Sequence, residues 1–235
     1  AREGNYSLMV DMHHIISDDI SHEILVRDFA ALLRGEVLPH LEIQYKDYAL
    51  WRNSPQQVAA LEQQEQFWLK EFSGRIPLLN LPIDYPRPLN PDYEGSAVGF
   101  HLNSEEAAAL KETAAACDAT LYVTLVAIFS LFLARLCGQE DIIIGTPVSN
   151  RQFPELQSVI GMFIDTLVLR NYPTGEKTFS LFLQEVKERF LQAFENGGYP
   201  FETLVEKTLS QREPNRNPLF DVMFTFHTVE KSPGA

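Results

Sequence analysis

Apolar and polar positions alternate with period two over residues 6–14. Leu8, Val10, Met12 and His14 share one parity, and Ser7, Met9, Asp11 and His13 the other. That pattern predicts a strand, and its parity sends the two adjacent histidines to opposite faces. The period then lengthens to that of a helix. Asp18 or Asp19 can cap it, and Glu23 falls in its first turns. Ile20, Ile24, Phe29, Leu32 and Leu33 form its apolar stripe, and Gly35 stops it. The unit is strand, tight turn, helix. Its turn, residues 17–19, lies where backbone N–H groups at a helix start favour developing negative charge.

The same reading continues along the chain. Residues 43–53 form a short amphipathic helix. Residues 55–72 form another, with Val58, Leu61, Trp68, Leu69 and Phe72 inward. Residues 74–95 carry Pro77, Pro82, Pro86, Pro88 and Pro91 and suit a crossing between lobes. Residues 95–103 alternate as a strand. Ser104, Glu105 and Glu106 open a helix, and a long apolar helix runs from Thr120 to Gly138. The segments DIIIGTPVSNR and MFIDTLVLR read as strands. Residues 178–196 are a strongly periodic helix closed by Gly197 and Gly198, residues 200–209 a short helix, and PLFDVMFTFHT a last strand. The mixture is α/β.

Composition sets further bounds. The 235 residues suffice for one large domain or two small lobes. A net charge of −13 argues against nucleic acid as a main partner, because phosphate binding needs clustered Lys and Arg. Cys117 and Cys137 lie in apolar helical stretches outside any CxxC, which suits two buried thiols in a reducing, cytoplasmic setting. The most apolar segment, residues 121–136, is shorter than the ~20 residues a membrane span needs. It includes Thr124, Ser130 and Arg135, so it reads as a core helix and no membrane partner is expected. No signal peptide opens the chain, and its start at Ala1, almost directly on a strand, suggests a piece of something longer.

MHHIISDD holds the densest chemistry. His13, His14, Asp18 and Asp19 are metal-ligating types, but the spacing is not HExxH and parity separates the histidines. A Ser-His-Asp hydrolase is disfavoured because no GxSxG is present. Two readings stay open. His14 is a satisfied core histidine with Asp18 a helix cap, or His14 is a general base at a strand end with Asp18 holding local geometry.

Beyond these local readings, HHIISDDIS resembles the HHxxxDG motif of the condensation domains of nonribosomal peptide synthetases. YKDYALW, IGMFIDTLVLR, YPFETLVE and REPNRNPLFDVMF resemble further motifs of that family, in the family's order. The resemblance covers essentially the whole chain. It implies a chloramphenicol acetyltransferase-like fold of two α/β lobes in a V, present here in part: residues 1–74 would close the N-lobe and residues 75–235 belong to the C-lobe. It implies amide formation between an upstream carrier-bound acyl or peptidyl thioester and the amine of a downstream carrier-bound aminoacyl group. Both substrates would ride on phosphopantetheine, with no cofactor or metal held by the domain. The partners implied are two peptidyl carrier proteins and an adjacent adenylation domain.

The resemblance makes His14 the catalytic histidine, as base or as the group that positions the amine and steadies the tetrahedral intermediate. It makes His13 structural and Asp18 a support for the loop through an arginine, for which Arg151 is a candidate. Ser21 would lie near the tunnel, and Arg151, Asp165, Tyr199 and Arg216 would line the tunnel or support it. The segment SHEIL after the motif favours condensation over epimerisation, and the two histidines disfavour heterocyclisation.

Two positions depart from the family pattern: Asp19 stands for glycine and Asp165 for asparagine. A carboxylate at 19 adds bulk and charge beside His14 and would raise its pKa. A noncatalytic carrier-binding or scaffolding relative is therefore kept as an alternative, and a free acyl-CoA acyltransferase, which shares the fold, as a third reading.

Overall fold

The computed structural model describes residues 7–89, 94–209 and 215–227. Tyr6, Pro91, the stretch 212–214 and Thr228, which fall in segments read above, lie outside the described residues. Two compact units emerge: residues 1–60 with 149–165, and residues 61–148 with 166–235. The proline-rich stretch 74–95 belongs entirely to the second.

The first unit contains α1 (Asp19–Leu33), α2 (Tyr45–Arg52), the start of α3 (Pro55–Glu71) and two 3-10 turns, His14–Ile16 and Pro154–Ser158. Its apolar core is small: Tyr48, Leu156, Val159 and Phe163, with Ile43 packed against them. Much of its interior is polar, with Ser17, Asp18, Ser21, Asn150 and Arg151 all buried. Asp18 caps α1 by accepting from the Ser21 N–H at 2.8 Å. Gly35, at φ +76, follows the last turn. The buried face of α1 is Ser21, Ile24 and Ala31. Phe29, Leu32 and Leu33, assigned to the buried stripe from their spacing, are exposed. Periodicity marks the apolar side of a helix but not whether anything packs on it.

The second unit contains the rest of α3, α4 (Ser104–Ala116), α5 (Leu121–Cys137), α6 (Phe179–Glu195), α7 (Phe201–Thr208) and most of β1 (Ile142–Ser149) and β2 (Ile164–Asn171), which pair as a two-stranded sheet. Each helix start has a physical cause. Asn103 and Glu106 form a capping box on α4, Thr120 caps α5 through the Val123 N–H, and Thr178 caps α6 through the Leu181 N–H. Gly138 ends α5 in the left-handed conformation. α5 packs on α4 and α6. The main core joins Val123, Val126 and Ala127 of α5 to Phe182, Leu183 and Val186 of α6 and Leu167, Val168 and Leu169 of β2. Cys117 and Cys137 are free and only half-buried, so the expected full burial does not hold.

Among the described residues, three expected strands do not form. Residues 7–13 form no ladder, and Leu8, Met9 and Val10 are exposed. Residues 95–103 likewise pair with nothing among the described residues. Alternation supplies two faces, but a strand also needs a neighbour for its N–H and C=O groups. Residues 218–227 contribute only one parallel bridge, Gly145 to Met223. It is closed by Gly145 N–H to the Val222 carbonyl at 3.0 Å and Phe224 N–H to the Gly145 carbonyl at 2.8 Å. Leu219, at φ +70, bends the chain just before. Gly145 is required there, because a Cβ would lie 2.5 Å from the Phe220 ring.

Among the described residues no single helix is long and apolar enough to cross a membrane. Among the described residues, too, no group of three or more His, Cys, Asp or Glu side chains could hold a metal ion.

Candidate active site

The loop before α1 is a 3-10 turn rather than a strand end, so strand parity is not what separates the two histidines. Their hydrogen bonds do. His13 caps the turn, its Nδ1 accepting from the Ile15 N–H at 3.1 Å. A ring nitrogen that accepts there carries no proton. The exposed His14 ring places Nδ1 2.7 Å from the Ser17 carbonyl oxygen, and the Ser17 N–H donates back to the His14 carbonyl at 3.3 Å. A carbonyl can only accept, so His14 Nδ1 carries the proton, and in the neutral ring Nε2 keeps its lone pair.

The same contacts raise the His14 pKa above the ordinary imidazole value. The Ser17 carbonyl has the largest effect, followed by the residue's own carbonyl. Slight desolvation opposes, and the charges of Asp19 and Asp18 add smaller upward effects. Asp19 therefore acts in the expected direction but is not the main cause.

Asp19 is also the first residue of α1, with helical backbone and no positive φ. The conformational argument for glycine does not apply at this position. What the carboxylate adds is charge, at an exposed helix N-terminus where a negative charge is favourable.

Beneath the loop, Asp18 and Arg151 form a buried ion pair. Arg151 Nη2 reaches Asp18 Oδ1 at 2.9 Å and Oδ2 at 3.1 Å, with 2% and 0% of the two side chains exposed. Asp18 also accepts from the Ser21 hydroxyl at 2.6 Å and the Phe163 N–H at 3.2 Å. Arg151 Nη1 donates to the Leu156 and Val159 carbonyls at 2.5 and 2.7 Å, and its guanidinium lies 4.1 Å from the Phe163 ring centroid. Burial is the strongest influence on Asp18 and pushes its pKa up. The hydrogen bonds from Ser21 and Arg151, with the arginine's charge, outweigh it and leave the carboxyl below its ordinary value. Asp18 is thus held as a carboxylate and supports the loop.

Ser21 is fully buried. Its hydroxyl, whose proton goes to Asp18, lies 2.8 Å from the Gly161 carbonyl oxygen and accepts from the Gly161 N–H at 3.0 Å. Gly161 has room for no side chain, since a Cβ would lie 2.1 Å from the Tyr45 ring, which is itself tied by its hydroxyl to the Met162 carbonyl at 2.9 Å. Gly161→Ala is therefore expected to destabilise the chain by about 1–3 kcal/mol through overpacking. Urea titration reads this directly, and an unchanged midpoint would mean that the Tyr45 ring moves aside at no cost.

Asp165 accepts from Arg52 Nη2 at 2.7 Å and from the Asn150 side-chain amide. A carboxylate in place of the family's asparagine thus has a cation beside it. Tyr199 and Arg216 belong to the second unit. The Tyr199 hydroxyl donates to Glu65 at 2.8 Å. Burial, then the hydrogen bond to that carboxylate and its charge, push its pKa up to about 12. Arg216 pairs with the half-buried Asp221 at 3.2 Å on the wall of a cavity of roughly 110 Å³. Within the first unit the fold joins Asp18, Ser21 and Arg151 in one network, and His14 lies beside it on the loop, held by Ser17. Gly161 completes that network and Ser17 holds His14; neither was singled out from the sequence. Gly161 could have been, as a glycine between bulky residues in IGMF.

The chain matches the family described as Condensation domain over residues 1–232. It belongs to the condensation domain family. Condensation domains are known for amide-bond formation and work beside carrier and adenylation domains in multidomain synthetases. Bacitracin synthase 1 of Bacillus licheniformis is 47% identical over 231 residues, 98% of this chain but 4% of that protein. The X-domain in its complex with OxyB from teicoplanin biosynthesis superposes with a TM-score of 0.82 at 25% identity, covering 90% of this chain and 49% of that one. The first condensation domain of the calcium-dependent antibiotic synthetase gives a TM-score of 0.63 at 20% identity, covering 91% and 48%. The condensation domain fold, α/β and chloramphenicol acetyltransferase-like, is thus established. The chain spans about half the length of these solved domains.

Proposed function

We propose that this chain carries the catalytic histidine of a condensation domain that joins two carrier-bound substrates. The amine of the downstream aminoacyl group attacks the carbonyl carbon of the upstream thioester. A C–N bond forms, the C–S bond breaks, and the upstream phosphopantetheine leaves as its thiol. His14 Nε2 takes the proton that the amine nitrogen loses, or holds the amine by accepting from it. The observation that carries this reading is the Nδ1 contact to the Ser17 carbonyl, which leaves Nε2 as the ring's acceptor on an exposed face. The reading includes residues 1–74 as part of an N-lobe and residues 75–235 as part of a C-lobe. It also includes a cytoplasmic setting, no cofactor held by the domain, and two carrier proteins with an adenylation domain as partners.

The test is reconstitution of the complete synthetase module with both carriers loaded. Dipeptidyl thioester should accumulate on the downstream carrier and require both loaded carriers. Turnover of free acyl-CoA without carrier would support an acyltransferase instead. Carrier association without product would support a partner-binding role. That second reading is favoured by Asp19 and by the likeness to an X-domain that binds OxyB.

Asp19→Gly separates these readings further. With one carboxylate removed, the His14 pKa should fall, so more of the ring is the neutral base at pH 7 and the rising limb of the rate profile moves to lower pH. Glycine at an interior helix position costs about 1 kcal/mol against alanine, and less at a helix start, so the fold should survive. An unmoved limb would show that the Asp19 charge does not reach His14.

A further inference from the structure

Resting on the assignment of His14 as the reacting histidine, we infer that His22 is a positioning residue that acts on His14 through Ser17. Ser17 is fully buried and meets His14 twice, by its N–H to the His14 carbonyl and by its carbonyl to His14 Nδ1. Its hydroxyl is the remaining polar group, and it lies 3.2 Å from His22 Nε2. His22 is fixed in the first turns of α1, its N–H donating to the Asp18 carbonyl at 3.1 Å.

A chain of contacts thus runs from the rigid helix, through one serine, to the imidazole. Asp18 anchors the backbone on the far side of Ser17 through its contacts with Ser21, Phe163 and Arg151. The His22 contact holds the Ser17 side chain and, with it, the direction of the carbonyl that selects the His14 tautomer. Ser17 and His22 therefore differ from Asp18 and Arg151. The ion pair holds the loop in place, whereas the Ser17–His22 contact aims one carbonyl at one ring nitrogen.

The test uses the full chain with ¹⁵N-labelled histidine for spectroscopy and the complete module for rates. In the wild type, the His14 nitrogen shifts should report the Nδ1–H tautomer. His22→Leu, at an exposed position, and Ser17→Ala, which keeps the carbonyl and removes only the hydroxyl, should both mix the tautomers. Both should lower kcat by about 2- to 10-fold, the range one hydrogen bond spans, with KM for the loaded carriers unchanged. His22→Gln, whose amide can reach the same hydroxyl, should restore both readouts. Unchanged His14 shifts in His22→Leu and Ser17→Ala, or failure of His22→Gln to restore them, would overturn the inference. A tautomer shift in a module that makes no peptide would leave the positioning role standing and refute the catalytic one.

Discussion

Replacing His14 by alanine in a complete module is expected to lower dipeptide formation by about 10²- to 10⁴-fold, the range a positioned acid–base group contributes. Loading of both carriers should persist, because His14 makes no contact that the fold depends on. Its ring is exposed and its one hydrogen bond goes to a carbonyl within its own loop. A melting temperature close to the wild type should accompany the loss. The wild-type rate should also rise with pH through a midpoint above the ordinary histidine value, since the Ser17 carbonyl and the residue's own carbonyl favour the imidazolium. The alanine variant should lack that limb. Undiminished product would remove His14 from the mechanism and leave the partner-binding reading.

Arg151→Ala is expected to cost about 3–5 kcal/mol, because it strands a buried carboxylate. The lost contacts are two to Asp18, two to backbone carbonyls and one to the Ser21 hydroxyl, all in the interior of the first unit. The sign with pH follows from Asp18. Its folded pKa is depressed, so its contribution is fully present above the unfolded carboxyl value and is lost as pH falls through the folded one. Without Arg151 the folded pKa rises. The stability gap between wild type and variant should therefore narrow on acidification, starting at the variant's raised Asp18 pKa and ending at the wild type's depressed one. Urea titrations at neutral and acid pH measure this. A gap independent of pH would mean that Arg151 acts by packing against Phe163 rather than by charge.

The helices were legible from local signals. Thr120, Thr178 and Asp18 cap the helices they were expected to open, or stand one residue before them, and Gly35 and Gly138 end theirs. The strands were less legible. Residues 7–13 and 95–103 alternate as a strand would, but pairing depends on a distant neighbour that alternation does not specify. The buried run Ile142–Ile144 succeeded because it is apolar on both faces and is covered on both.

At the site, the residue types of HHIISDD left His14 open between a core histidine and a general base; the family resemblance chose the second, and strand parity was read as separating it from His13. The reason first given, strand parity, does not hold; the distinction comes from which carbonyl or N–H each ring meets. Asp18 as helix cap follows from its place before an apolar helix. Its pairing with Arg151, 133 residues away, is decided only by the tertiary fold, as are the contacts of Ser21 with Gly161 and of Asp165 with Arg52. Local hydrogen bonds are written into a few consecutive residues. A buried charge finds its partner only when the chain returns to it, and desolvation then makes that partner obligatory.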